Sequence, residues 1–230
     1  MPSLRPAAID ALLEQLGPRL RRGGLAAERP ARCATGHAAL DALLCGGLPR
    51  GRISELAGSP SSGRTSLLLS LLAGHLRGGE IAAWVDASDA FDPTSAEAAG
   101  VALSRLLWVR APDVPSALRC AERLLETQGL PLVILDLDRI TVLPRVPPHA
   151  WPRLARAATA SSAALVVLAA ERLAGTAAEC AIRLEPAPPR FTGRPALFEG
   201  LEARAVLLRS REAPEGRAVP LRLFRRRPAQ

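Results

Sequence analysis

Gly58-Ser59-Pro60-Ser61-Ser62-Gly63-Arg64-Thr65-Ser66 decides the reading of this chain. Loops that cradle phosphate groups follow the pattern G-x-x-x-x-G-K-[ST], in which glycines let backbone N–H groups approach the ligand closely. Gly58, Gly63 and Thr65 stand at that spacing, and Arg64 replaces the lysine. Residues 52–57, Arg-Ile-Ser-Glu-Leu-Ala, predict a short strand entering the loop. Residues 65–76, rich in leucine, predict a helix leaving it. Strand, loop and helix in that order are the context the motif requires.

Composition bounds what surrounds this unit. The chain has 230 residues, enough for one domain with a hydrophobic core and a small appendage. Hydrophobic residues make up 48 % and charged residues 23 %, as in globular proteins. No apolar run reaches the roughly 18 residues of a membrane span. The first residues lack the apolar stretch of a signal peptide, so the expected location is the cytoplasm, with no membrane partner. Cys33, Cys45, Cys120 and Cys180 are scattered without a Cys-x-x-Cys pair, which argues for buried free thiols over a metal site or disulfide framework. His37, His75 and His149 show no metal-ligand spacing either, and no nucleophile–base pair is legible. The net charge is +8, and every cation is arginine, because the chain contains no lysine. That charge fits attraction to nucleic acid or to an acidic protein, and equally a solvated surface of drifted composition. No tyrosine and only 3 % aromatic residues argue against a platform for stacking single-stranded bases.

Ahead of the loop, Ile9, Leu12, Leu13 and Leu16 form one apolar stripe at helical spacing, and Gly17-Pro18 ends that helix. Such a helix either docks on a partner or packs on its own core. Arg19, Arg21, Arg22 and Gly23-Gly24 follow as a linker. Beyond the loop, residues 114–128 predict an amphipathic helix with Ala117, Leu118, Ala121, Leu124 and Leu125 on one face. Residues 132–136 predict a buried strand ending in Asp136, and residues 164–169 another. Residues 203–208 and 219–223 predict a hairpin turned by Pro214-Glu215-Gly216. Alternating strands and helices imply a mostly parallel sheet wrapped by helices.

These segments carry a resemblance. T-G-x-x-x-L-D-x-L-x-x-G-G-L-P-x-G-R-I over residues 35–53, followed by G-x-x-S-S-G-R-T over residues 58–65, resembles the ATPase core of the RecA recombinase family. The likeness continues through Trp84-Val85-Asp86, Phe91-Asp92-Pro93, Leu107-Trp108-Val109 and the strand ending at Asp136, and covers about residues 30–225. It implies an α/β fold: a RecA-like P-loop core whose mostly parallel central sheet is flanked by helices, with a closing antiparallel hairpin and a short N-terminal helix. The implied division is an N-terminal helix and Arg/Gly/Pro linker over 1–29, the core over 30–224, and a basic tail over 225–230. That tail, with Arg225-Arg226-Arg227, either binds acidic protein or phosphate or is a solubilising end.

The resemblance assigns a nucleotide site to Gly58, Ser61, Ser62, Gly63, Arg64, Thr65, Ser66, Asp92 and Asp136. Backbone N–H groups of the loop would bind phosphates, Thr65 would reach magnesium, and Asp136 would support the metal shell. Four parts of a working site are replaced. The lysine is Arg64, and the family's water-activating glutamate aligns with Ser88. Its adenine-stacking tyrosine aligns with Ser95, and its γ-phosphate-sensing glutamine aligns with Ala170. Arginine is not a conservative substitute for a compact point charge. The expectation is a vestigial site with no catalytic residue, no metal, no cofactor, and at most weak residual binding of ATP and magnesium. The segments after Asp136 and after Ala170, where recombinases carry DNA-binding loops, are short, and the family's separate C-terminal domain is not seen. In these respects the chain is similar to the ImuA proteins, RecA-like accessory proteins of bacterial mutagenesis cassettes. That likeness implies a non-catalytic role in SOS-induced translesion synthesis. It implies ImuB and RecA as partners, an error-prone polymerase as an indirect one, and weak contact with DNA at most. The alternative is an active ATPase or recombinase paralogue that remodels filaments, with Asp89 or Glu55 as the replacement base.

Overall fold

A computed structural model describes residues 31–138, 146–147, 149–186 and 188–224. The predicted N-terminal helix and linker, the basic tail, and most of the segment after Asp138 lie outside the described residues.

A short antiparallel pair, β1 (Arg32–Cys33) with β2 (Leu48–Pro49), brackets helix α1 (Ala38–Leu43) and leads into β3 (Ile53–Gly58). Helix α2 (Arg64–Arg77) follows the loop. Then come β4 (Ala82–Asp86), α3 (Pro93–Ala98), β5 (Leu106–Arg110), α4 (Val114–Glu126), β6 (Leu132–Asp136), α5 (Ala150–Ser161) and β7 (Ala164–Leu168). The remaining strands are β8 (Ala178–Glu185), β9 (Pro189–Thr192), β10 (Leu197–Ser210) and β11 (Ala218–Phe224). The main sheet runs β11-β10-β8-β3-β7-β6-β4-β5, with β9 paired to β10. From β8 to β5 every pairing is parallel. β10 and β11 form the expected hairpin and join β8 antiparallel.

The central strands are apolar on both faces because both are covered. Leu132, Ile134, Trp84, Val166 and Leu168 pack with the leucines of α2 on one side. Val133, Leu135, Val85, Leu165 and Val167 pack with α4 and α5 on the other. Helix α4 buries Val114, Ala117, Leu118, Ala121 and Leu125, close to the stripe expected from spacing, and Asp113 caps it by accepting from the Ser116 N–H at 2.7 Å. Of the four free cysteines, Cys33 and Cys180 are buried, whereas Cys45 is exposed and Cys120 half-buried. The expectation of buried thiols is corrected for the last two: Cys45 sits in the turn after α1, and Cys120 lies on the flank of α4.

Parallel strands gather their carboxyl ends along one edge of the sheet, where open α/β sheets hold ligands. In register, Leu56, Leu168, Asp136, Asp86 and Arg110 form one row across that edge. The loop after Gly58 opens beside this row.

Candidate nucleotide-loop site

The loop keeps the backbone shape that its glycines were expected to serve. Gly58 has φ +149° and Gly63, which caps α2, has φ +91°. A Cβ at Gly58 would lie 2.5 Å from the Leu184 carbonyl oxygen, and one at Gly63 would lie 2.5 Å from the Leu223 side chain. Only glycine fits either position. Ser61 is exposed, in the left-handed region at φ +63°. Ser62 is buried, and its hydroxyl has no hydrogen-bond partner among the described residues. Thr65 and Ser66 are exposed on the first turn of α2.

Arg64 departs from what a phosphate-binding cation would do. Its side chain is only 3 % exposed and points into the protein. One guanidinium nitrogen lies 2.6 Å from Asp138 Oδ1, and the other donates to the Ala169 carbonyl. A buried guanidinium needs a counter-charge and acceptors, and both are supplied internally. As placed, Arg64 is not free to meet an external phosphate.

Asp136 stands at the end of β6, buried, and its Oδ1 accepts from the Asp138 N–H at 3.0 Å. Burial pushes its carboxyl up to about 6, the Asp138 N–H pulls back, and the neighbouring Asp86 adds repulsion. Asp86, its register partner on β4, accepts from the N–H groups of Ser88, Ala90 and Phe91 at 3.0, 3.2 and 2.9 Å. That carboxylate shapes the loop after β4. Asp92, assigned to the site, caps α3 by accepting from the Thr94 and Ser95 N–H groups at 3.2 and 3.0 Å. The hydrogen bonds from Ser95 hold its carboxyl below the usual range.

Both replacement bases have partners of their own. Asp89 is exposed and forms a two-pronged pair with Arg110, at 2.7 Å to Nε and 2.6 Å to one terminal nitrogen. Glu55, in the middle of β3, accepts from the backbone N–H groups of Leu173 and Ala174 at 2.5 and 2.6 Å, with Arg172 Nε 3.5 Å away. Glu55 therefore pins the segment after β7 to the central strand.

The structure thus brings together Gly58, Ser62, Gly63, Arg64 and Asp136, and places Asp92 at a helix cap. Sequence reasoning missed Asp138. Its only signal was a carboxylate two residues after the strand-end Asp136, in a chain with arginine at the lysine position. Beside the loop, a groove of about 420 Å³ runs along α2 between Ser66, Ser70, Ser95, Phe198, Leu201 and Leu223. Among the described residues no His/Cys/Asp/Glu cluster is arranged to hold a metal, and no helix is long and apolar enough to cross a membrane.

Comparison with known proteins places this geometry. The RecA N-terminal domain family matches residues 18–152, more than half of the chain. The chain is 40 % identical over 136 residues to protein RecA of Rubrobacter xylanophilus, covering 56 % of this chain and 40 % of that one. It is 44 % identical over 135 residues to protein RecA of Methylococcus capsulatus, covering 56 % and 39 %. The chain thus spans about two fifths of the length of these relatives. The crystal structure of the RadB recombinase superposes with a TM-score of 0.66 at 24 % identity, over 83 % of this chain and 95 % of that one. At that identity the likeness shows the shared α/β fold.

Proposed function

This chain belongs to the RecA N-terminal domain family, and on that premise we propose that it is a RecA-like interaction protein that does not hydrolyse ATP. Its expected setting is SOS-induced translesion DNA synthesis in the cytoplasm, with ImuB and RecA as direct partners. The error-prone polymerase is reached through them, and DNA is contacted weakly.

One observation carries this reading: Arg64 is buried against Asp138 and the Ala169 carbonyl. The residues as placed do not fit a nucleoside triphosphate with magnesium. The cation that should meet the phosphates faces inward, and the strand-end Asp136 is buried with one oxygen already taken by the Asp138 N–H. Ser88 offers no general base, and Asp89 is turned to an exposed pair with Arg110. What survives is the fold, which presents surfaces without turning over a nucleotide. The partner-facing elements of this reading are the segment 1–22 and the tail 225–230, both outside the described residues.

The test is phosphate release by the purified chain with magnesium, with and without single-stranded DNA, alongside capture of ImuB and RecA. The expected result is no release, and capture weakened by deleting residues 1–22 or 225–230. DNA-stimulated release abolished by Asp136→Ala would replace this reading with an active ATPase.

A further inference from the structure

Arg64 sits at the first position of α2, directly after the Gly63 cap. A guanidinium there needs a negative partner, and the fold delivers one from a distant part of the chain. Asp138 lies two residues beyond β6, and that turn is fixed at two points. The Leu137 N–H donates to the Leu168 carbonyl at 2.8 Å, and the Asp138 N–H donates to Asp136 Oδ1 at 3.0 Å. Ala169, which offers the second acceptor, is tied to the loop strand by its own N–H to the Leu56 carbonyl at 3.2 Å. The Gly58 N–H reaches the Ala170 carbonyl at 3.1 Å. Arg64 is therefore gripped by a frame that β6, β7 and β3 hold in common.

A second observation points to the kind of group this loop lacks. The Ser62 hydroxyl is buried without a hydrogen-bond partner among the described residues. It lies against Gly58 beside Arg64: a Cβ built on Gly58 would meet Ser62 Oγ at 2.9 Å and Arg64 Cδ at 3.4 Å. An idle donor next to a guanidinium, on a loop with two glycine-only positions, is the start of an anion site whose charge is already neutralised. Arg–carboxylate pairs reproduce Arg–phosphate geometry.

We propose that Asp138 is a built-in stand-in for phosphate, whose carboxylate holds Arg64 inward and keeps this loop closed to oligophosphates. The inference rests on the reading of the loop as non-hydrolysing and adds its cause. Exclusion is set by one side chain and is reversible by one substitution. In Asp138→Asn the amide keeps the shape of the turn but leaves Arg64 without a counter-charge, and an oligophosphate becomes its best available partner.

The test titrates the full chain with inorganic pyrophosphate by calorimetry, as wild type, Asp138→Asn, and Arg64→Gln with Asp138→Asn. Asp138→Asn should bind at least about tenfold more tightly than wild type, and the double variant should lose the gain. A wild type that binds as tightly as Asp138→Asn overturns the proposal, as does a gain that survives the loss of Arg64. A further measurement needs no variant: the thermal midpoint of the wild type should not move with added pyrophosphate, and a concentration-dependent rise overturns the latch. The two readings fail separately. Tight wild-type binding without phosphate release removes the latch and leaves the interaction protein, whereas phosphate release removes the interaction protein.

Discussion

Glu55 and Arg64 are both buried charges on the unit that runs from β3 into α2, 2 % and 3 % exposed, and both reach across to the chain that follows β7. They are satisfied in different ways. Glu55 takes backbone N–H groups, from Leu173 and Ala174, which any residue but proline would supply at those positions. Arg64 takes a side chain, Asp138, which one substitution removes. The first arrangement is architecture and tolerates sequence change around it. The second is a pairing of two particular residues, and its presence in a loop built for phosphate makes it the informative one.

The comparison can be broken most severely at Glu55. Glu55→Ala strands the buried Ala174 N–H and the half-buried Leu173 N–H, and should cost about 3 kcal/mol in urea unfolding. Glu55→Gln keeps an oxygen for both N–H groups and should cost only about 1 kcal/mol; an equal loss in both variants would mean the charge, not the backbone, is what matters there. Arg64→Met leaves Asp138 unpaired, but Asp138 is 20 % exposed and open to water, so the expected loss is smaller, about 2 kcal/mol.

Asp136→Asn should go the other way. Its carboxyl is raised from 3.8 to about 6 in the folded protein. An acid with a raised folded value stabilises fully below its unfolded value, and that contribution is lost as pH rises through the folded one. Wild-type stability should therefore fall between about pH 4 and 6 through this group, and the asparagine variant should lack that slope and be about 3 kcal/mol more stable at pH 7. Capture of partner proteins by Asp136→Asn should be unchanged, and its loss in a folded variant would place the partner surface at the site. The smallest effect belongs to the exposed Asp89–Arg110 pair. Asp89→Ala should leave the thermal midpoint where it is, since surface pairs contribute little.

The frame of the molecule was legible because its signals are local. Gly58 and Gly63 mark the loop, leucine density marks α2, and the apolar run ending at Asp136 marks β6. Helix α5 gave less to read: its buried stripe is Trp151, Leu154 and Ala158, interrupted by Pro152. In β8 the alternation is blurred because Cys180, Ala181 and Ile182 are all buried between β3 and β10. The Arg64–Asp138 pair was out of reach for another reason. It exists because the sheet order sets β7 beside β3 and β6 next after β7, and no periodicity along the chain encodes that adjacency. Asp92 was legible as a carboxylate near the site, but its use as the cap of α3 depends on Thr94 and Ser95 turning their N–H groups toward it.

The place of β3 in the sheet also bears on how the protein is made. Its two neighbours are β7 and β8, so Ile53 waits for Leu165 and Gly58 for Leu184. During synthesis at about 5–20 residues per second, the strand that carries the loop is without either neighbour for on the order of ten seconds. The Leu223 side chain that packs over Gly63 arrives later still. A strand with both edges open for that long, carrying Ile53 and Leu56 that are buried in the finished fold, is a natural client for a ribosome-associated chaperone, and it must be sheltered until the last strands arrive before it can close.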